Sequence, residues 1–192
     1  MPVDVTGVRE LVAAMKNVNP ELNKQMQKTI RDAMIPIRDK ARGFLPNNDQ
    51  VLSGWNKINV TAEQKYRAFP FYDQDLARNG VYFSAGQSKR NASGFSFTHF
   101  VANKSASGAI FETAGRKNPG GSIDSKSLNP RAGIDFITSA QNISPLKGAG
   151  KQRGRAIYRA WNEDQGKVYP AVVKAVEITA SKFNQGQLSK AA

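Results

Sequence analysis

NPELNKQMQKTIRDAMIPIRDKARGF, residues 19–44, decides how this chain is read. Its apolar residues Leu22, Met26, Ile30, Ala33, Met34, Ile37, Ala41 and Phe44 recur every three or four positions, which on a helix places them in one stripe. Lys24, Lys28, Arg31, Asp32, Arg38 and Asp39 fall on the other faces. Asn19 suits an N-cap, and Pro20 suits the first helical position, where a missing N–H costs nothing. Pro36 cannot bond back to residue 32, yet Ile37, Ala41 and Phe44 continue the stripe, so the pattern predicts a kink and not a stop. A stripe this long needs an apolar surface to cover, and the rest of the chain must supply it.

Working outward, residues 1–18 read as an N-terminal arm and short helix, with Thr6 as N-cap and Val8, Leu11, Val12 and Met15 on one face. Near the other end, AVVKAVEITASKF (171–183) follows Pro170 and puts Val172, Val173, Val176, Ala180 and Phe183 on one stripe, a natural partner for the long helix. RAGIDFITSAQ (131–141) suggests a short helix. RAIYRAWNEDQ (155–165) suggests another, with Ile157 and Trp161 four apart and Gly166 closing it. Residues 185–192 form a small polar tail.

Between residues 65 and 115 the period changes. KYRAFPFY (65–72), GVYFSAG (80–86), GFSFTHFVAN (94–103) and GAIFETAG (108–115) are short, aromatic-rich segments separated by DQDLARN, QSKRNAS and KSAS. They predict an antiparallel sheet of about four strands, and with the flanking stripes an α+β fold: long amphipathic helices packed on one face of that sheet. Two stretches, 116–130 and 144–155, are too rich in Gly, Pro, Ser and Lys to be elements and read as flexible loops. Residues 1–192 are expected to form a single domain.

Composition narrows the chemistry. There is no cysteine and a single histidine, His99, so thiolate sites and sites built on several imidazoles are excluded. His99 alternates with Phe95 and Phe97 and reads as a partly buried structural histidine. Asp73 and Asp75 read as loop caps. Gly120 and Gly121 lack both the Walker spacing and the GxGxxG pattern. No acid–base constellation stands out, no cofactor is called for, and the chain reads as no enzyme. No run of about eighteen apolar residues suggests a membrane span, and an aqueous, cytoplasmic setting is expected.

The net charge of +13 is unevenly spread. Residues 1–77 hold 11 Lys/Arg against 9 Asp/Glu, residues 78–159 hold 13 against 3, and residues 160–192 hold 4 against 3. The middle of the chain therefore suits a polyanion, an acidic protein or simply a solvated face. Lys147, Lys151, Arg153, Arg155 and Arg159, in and just after SPLKGAGKQRGR (144–155), are the foremost contact candidates, with Arg116 and Lys117 beside them. Glu112 is an isolated carboxylate in this acid-poor region, a candidate to pair with Arg116 or with a neighbouring subunit. Neither a helix-turn-helix nor a zinc module is present, so a base-reading role is not expected.

Three segments carry a resemblance. LPNNDQVLSGWNKI (45–58) resembles a P-x-x-T-G-x-L-x-x-S-I segment, AIFETAGRKN (109–118) resembles Y-A-x-x-x-E-x-G-T-R, and the ending GRAIYRAWNEDQGKVYPAVVKAVEITASKF (154–183) completes the pattern of the neck or tail-completion (head–tail joining) proteins of long-tailed double-stranded-DNA bacteriophages. The chain departs from it at Trp55, in place of a polar residue, and at Ala114-Gly115, in place of Gly-Thr. The resemblance implies a virion protein of the head–tail junction, assembled in the host cytoplasm as a homo-oligomeric ring around the DNA channel. Its implied partners are its own copies, head-closure or connector proteins, tail terminator or tail tube proteins, and the passing double-stranded DNA. The rival reading from the residues themselves is a free, non-sequence-specific nucleic-acid-binding protein.

Overall fold

The computed structural model describes residues 12–13, 15, 19–52, 54–56, 70–85, 99–121 and 129–191, with side chains up to residue 185. In chain order the elements are α1 (Pro20–Gly43), α2 (Gln74–Gly80), β1 (Val81–Ser84), β2 (Phe100–Asn103), α3 (Ala106–Thr113), α4 (Ala132–Ile143) and α5 (Ile157–Ala191), with a 3-10 turn at Gly150–Gln152. Of the expected N-terminal helix, residues 12, 13 and 15 are described and helical, and Met15 is fully buried.

α1 follows the opening stretch closely. Asn19 Oδ1 accepts from the Leu22 N–H at 3.1 Å, and the helix runs on through Pro36. Leu22, Met26, Ile30, Met34, Ile37 and Ala41 are all buried, as the stripe requires.

The sheet corrects the expectation of about four strands: among the described residues it has two antiparallel strands, β1 and β2, and the fold is mostly helical. GVYFSAG supplies β1 and the end of GFSFTHFVAN supplies β2, while residues 94–98 lie outside the described set. GAIFETAG is not a strand but the body of α3. Ser105 is extended and its hydroxyl accepts from the Gly108 N–H, and burial falls on Ser107, Gly108, Phe111 and Glu112, one face of a helix. A short apolar run fits either period, and here the cap and the buried face select the helix. DQDLARN is likewise not a loop. The Asp73 carboxylate accepts from the Asp75 and Leu76 N–H groups and starts α2. Of KYRAFPFY, Tyr72 makes one isolated parallel bridge to Asn56, and residues 65–69 lie outside the described set.

The end of the chain is corrected too. α5 is one helix of 35 residues that passes through both Gly166 and Pro170, where a break was expected. Pro170 removes the bond to the carbonyl of residue 166, but Val168 and Val172 on either side are both buried, so packing outweighs the missing bond.

Contacts sort the chain into two compact units, Met1–Ile37 with Phe83–Val101 and Glu163–Ala192, and Arg38–Tyr82 with Ala102–Asn162. The first unit buries the α1 stripe as far as Ile37, Val101, and Val168, Val172, Ala175 and Val176 of α5. Within it His99 Nε2 lies 2.6 Å from Gln27 Oε1 and its ring stacks on Phe83 at 6.2 Å.

The second unit is held by an aromatic cluster and a set of side-chain clamps. Trp55 donates its indole N–H to the Pro70 carbonyl and packs on Tyr72 and, edge-on, on Phe136, with centroids 4.9 and 4.8 Å away. The Tyr72 hydroxyl donates to the Pro46 carbonyl, and Asn48 and Gln74 exchange backbone-to-side-chain bonds. Arg42 donates twice to the Val81 carbonyl, tying the end of α1 to β1. Asn103 donates to the Ala77 carbonyl and accepts from the Ser105 N–H. It fits because Gly80 and Gly108 present no side chain against it; a Cβ at either would strike the amide.

Candidate functional site

Glu112, Arg155 and the residues around them belong to the second unit. α3 carries Glu112 near its C-terminal end, on the buried face that also holds Phe111. The carboxylate reaches across the chain to the start of α5. Oε2 accepts from the Ala156 and Ile157 N–H groups at 2.7 and 3.0 Å, and Oε1 accepts from Tyr158 at 3.0 Å. The first N–H groups of any helix lack intrahelical partners and carry its positive end, so a carboxylate there satisfies three donors and faces a favourable field. Glu112 is thus a long-range cap for the longest helix of the protein.

Gly154 makes the approach possible. Its missing side chain leaves room for Glu112 Oε1, which a Cβ would overlap, and that Cβ would also crowd the Tyr158 ring at 2.9 Å. The loop before it closes on itself: Lys147 and Gly154 exchange both backbone hydrogen bonds at 2.9 Å, with the 3-10 turn between them. Residues 144–155, expected to be a flexible loop, are a tied hairpin-like turn with an anchored base.

The anchor is Arg155. Expected in the exposed basic set, it is instead completely buried, at 0% exposure. Its Nη1 donates to Gln141 Oε1 at 2.9 Å and to the Ser144 carbonyl at 2.6 Å, and Nη2 donates to the Ala114 carbonyl at 3.0 Å. The guanidinium stands 6.0 Å from the Phe111 ring centroid. Burial pulls its pKa down to about 10, the Glu112 charge opposes that fall and Arg153 adds to it, so Arg155 stays charged at neutral pH. Such a group is costly to bury and tolerable only with acceptors around it, which explains why three chain segments converge here. Ser144 completes the node: its hydroxyl donates to the Arg155 carbonyl at 2.6 Å and accepts from Arg159 Nη1 at 2.9 Å. Gly115, at φ 74°, turns the chain between Ala114 and Arg116 in a backbone conformation that disfavours a side chain.

The remaining basic candidates separate by exposure. Lys117, Lys147 and Lys151 are exposed. Arg153 is half-buried, and its Nε has no partner. Arg159 is half-buried over the Phe44 ring, 4.0 Å from its centroid. Arg116 is half-buried, 5.2 Å from the Tyr158 ring centroid. Glu112, offered as a partner for Arg116 or for another subunit, is 6% exposed and held by the α5 backbone, so a neighbour cannot reach it. Lys147 and Lys151 therefore form the accessible cationic tip of the tied turn.

Sequence reasoning missed Gln141, Ser144 and Gly154, which serve the node by position and carry no motif. Glu112 was visible as a lone acid among cations, although its partner was not. No protein-family model, curated protein or solved structure matches the chain.

Proposed function

We propose that the chain is a structural subunit of the bacteriophage head–tail junction, a neck or tail-completion protein that assembles as a ring around the DNA channel and joins the capsid connector to the tail. The observation that supports this reading is the meeting of two motif segments. Glu112 and Gly115 of AIFETAGRKN close on Gly154 and Arg155 of GRAIYRA in one buried node. The charged residues of the resemblance act as a brace for a long helix and a tied basic turn, which suits a subunit that bears load and meets partners. Lys147 and Lys151, on that turn, supply a sequence-independent attraction to passing duplex DNA.

The test changes Lys147 and Lys151 together to Ser, two exposed residues whose loss leaves the node intact. Duplex binding is measured across a salt series, and head-to-tail joining is measured in an assembly extract. The expected result is defective joining and a salt slope shallower by about 2, one contact per lysine. Defective joining with unchanged DNA affinity would assign the turn to an acidic protein partner. Unchanged behaviour in both assays would leave the turn a solvated face and refute the role given to it.

A further inference from the structure

A cleft of about 530 Å³ opens between the segment after α3 and the first turns of α4. Its lining includes Thr113 at the end of α3, Arg116 and Lys117 after it, and Gly133, Phe136 and Ile137 of α4. Among the described residues that line it there are cations and no carboxylate. Arg116 Nε and Nη2 are buried and have no acceptor. The nearest carboxylate in sequence, Glu112, is taken by three backbone donors of α5. With no carboxylate beside it among the described residues, the Arg116 guanidinium leaves its charge unneutralised, and that charge attracts an incoming carboxylate.

We propose that this cleft is a docking site for an acidic–apolar peptide segment of a partner protein, in which one Asp or Glu carboxylate accepts from Arg116 and an adjoining apolar side chain covers Phe136 and Ile137. The volume falls in the range of sites that hold a few side chains. Charge complementarity selects the carboxylate, and the apolar side chains of Phe136 and Ile137 select a peptide over a bare phosphodiester group. Lys117, an exposed lining residue, adds attraction at longer range. The site stands apart from the Lys147–Lys151 turn and does not depend on the virion reading.

The test uses the full chain and fluorescein-labelled short peptides that place one Asp or Glu beside one Leu or Phe, with Asn and Gln counterparts as controls and inorganic phosphate as competitor. The acidic peptides are expected to bind roughly tenfold more tightly than their amides, and Arg116→Gln to remove that preference. Lys117→Glu should weaken acidic peptides and leave the amides unchanged. Should Arg116→Gln fail to fold, titration of the wild-type chain followed by NMR decides the matter, since Gly121, Gly133 and Ile137 signals must shift with the acidic peptide. Equal binding of acid and amide forms, no binding, or unshifted signals at those residues overturns the proposal. Displacement of the peptide by millimolar phosphate, or self-association that the peptide competes away, overturns it as well by assigning the cleft to a phosphate or to a second copy.

Discussion

Glu112→Gln isolates the long-range cap, because it preserves the shape of the side chain and removes its charge and one acceptor. If the amide oxygen keeps the Ala156 and Ile157 donors, the new NH2 group faces the Tyr158 N–H, which it cannot satisfy. A buried donor left without a partner costs about 1–3 kcal/mol. Loss of the negative charge at the helix start costs up to about 2 kcal/mol in a buried setting, and the same charge also offsets that of Arg155. Together these terms put the destabilisation at about 3 kcal/mol, which for a chain of this size lowers the melting temperature by on the order of 10 °C. Thermal and urea unfolding followed by circular dichroism measures the loss, and amide exchange at residues 156–158 should accelerate more than that of the α1 core. Lys147→Ser serves as a surface control within about 0.5 kcal/mol of the wild type. If Glu112→Gln unfolds within about 1 kcal/mol of the wild type, the carboxylate is not bracing α5 and the account of the node fails.

Gly154→Ala should push the Glu112 carboxylate off its three donors and cost about 1–3 kcal/mol; combined with Glu112→Gln it should cost clearly less than the sum of the two, and strict additivity in urea unfolding would separate the two residues. His99 is held below its ordinary pKa by burial, so the unfolded chain takes up its proton first as pH falls. Stability from this group is therefore undiminished above about pH 6.5 and declines below it until the folded pKa is reached, and His99→Gln should remove that part of the slope below about pH 6.5. Identical pH profiles for the two proteins would show that His99 does not titrate differently in the folded state.

The sequence by itself determined the elements whose information is local. The α1 stripe, its Asn19 cap and the burial of Ile30, Met34 and Ile37 follow from a period repeated over seven turns, which no tertiary contact needed to correct. The residue types at Asp73 and Ser105 were likewise suited to capping, yet the segments they start, α2 and α3, are too short for periodicity to separate helix from strand. There the decision came from packing: Asn103 wedged against Gly80 and Gly108, and Phe111 and Glu112 on a shared inner face. The continuity of α5 across Gly166 and Pro170 was decided in the same way, since both residues are local helix breakers and only the burial of Val168 and Val172 opposes them. Arg155 shows the limit most plainly. Within its own segment it is one of four basic residues with nothing to distinguish it. Only the fold brings the Gln141, Ser144 and Ala114 oxygens within reach, and a hydrogen-bond partner 41 residues away leaves no trace in local composition.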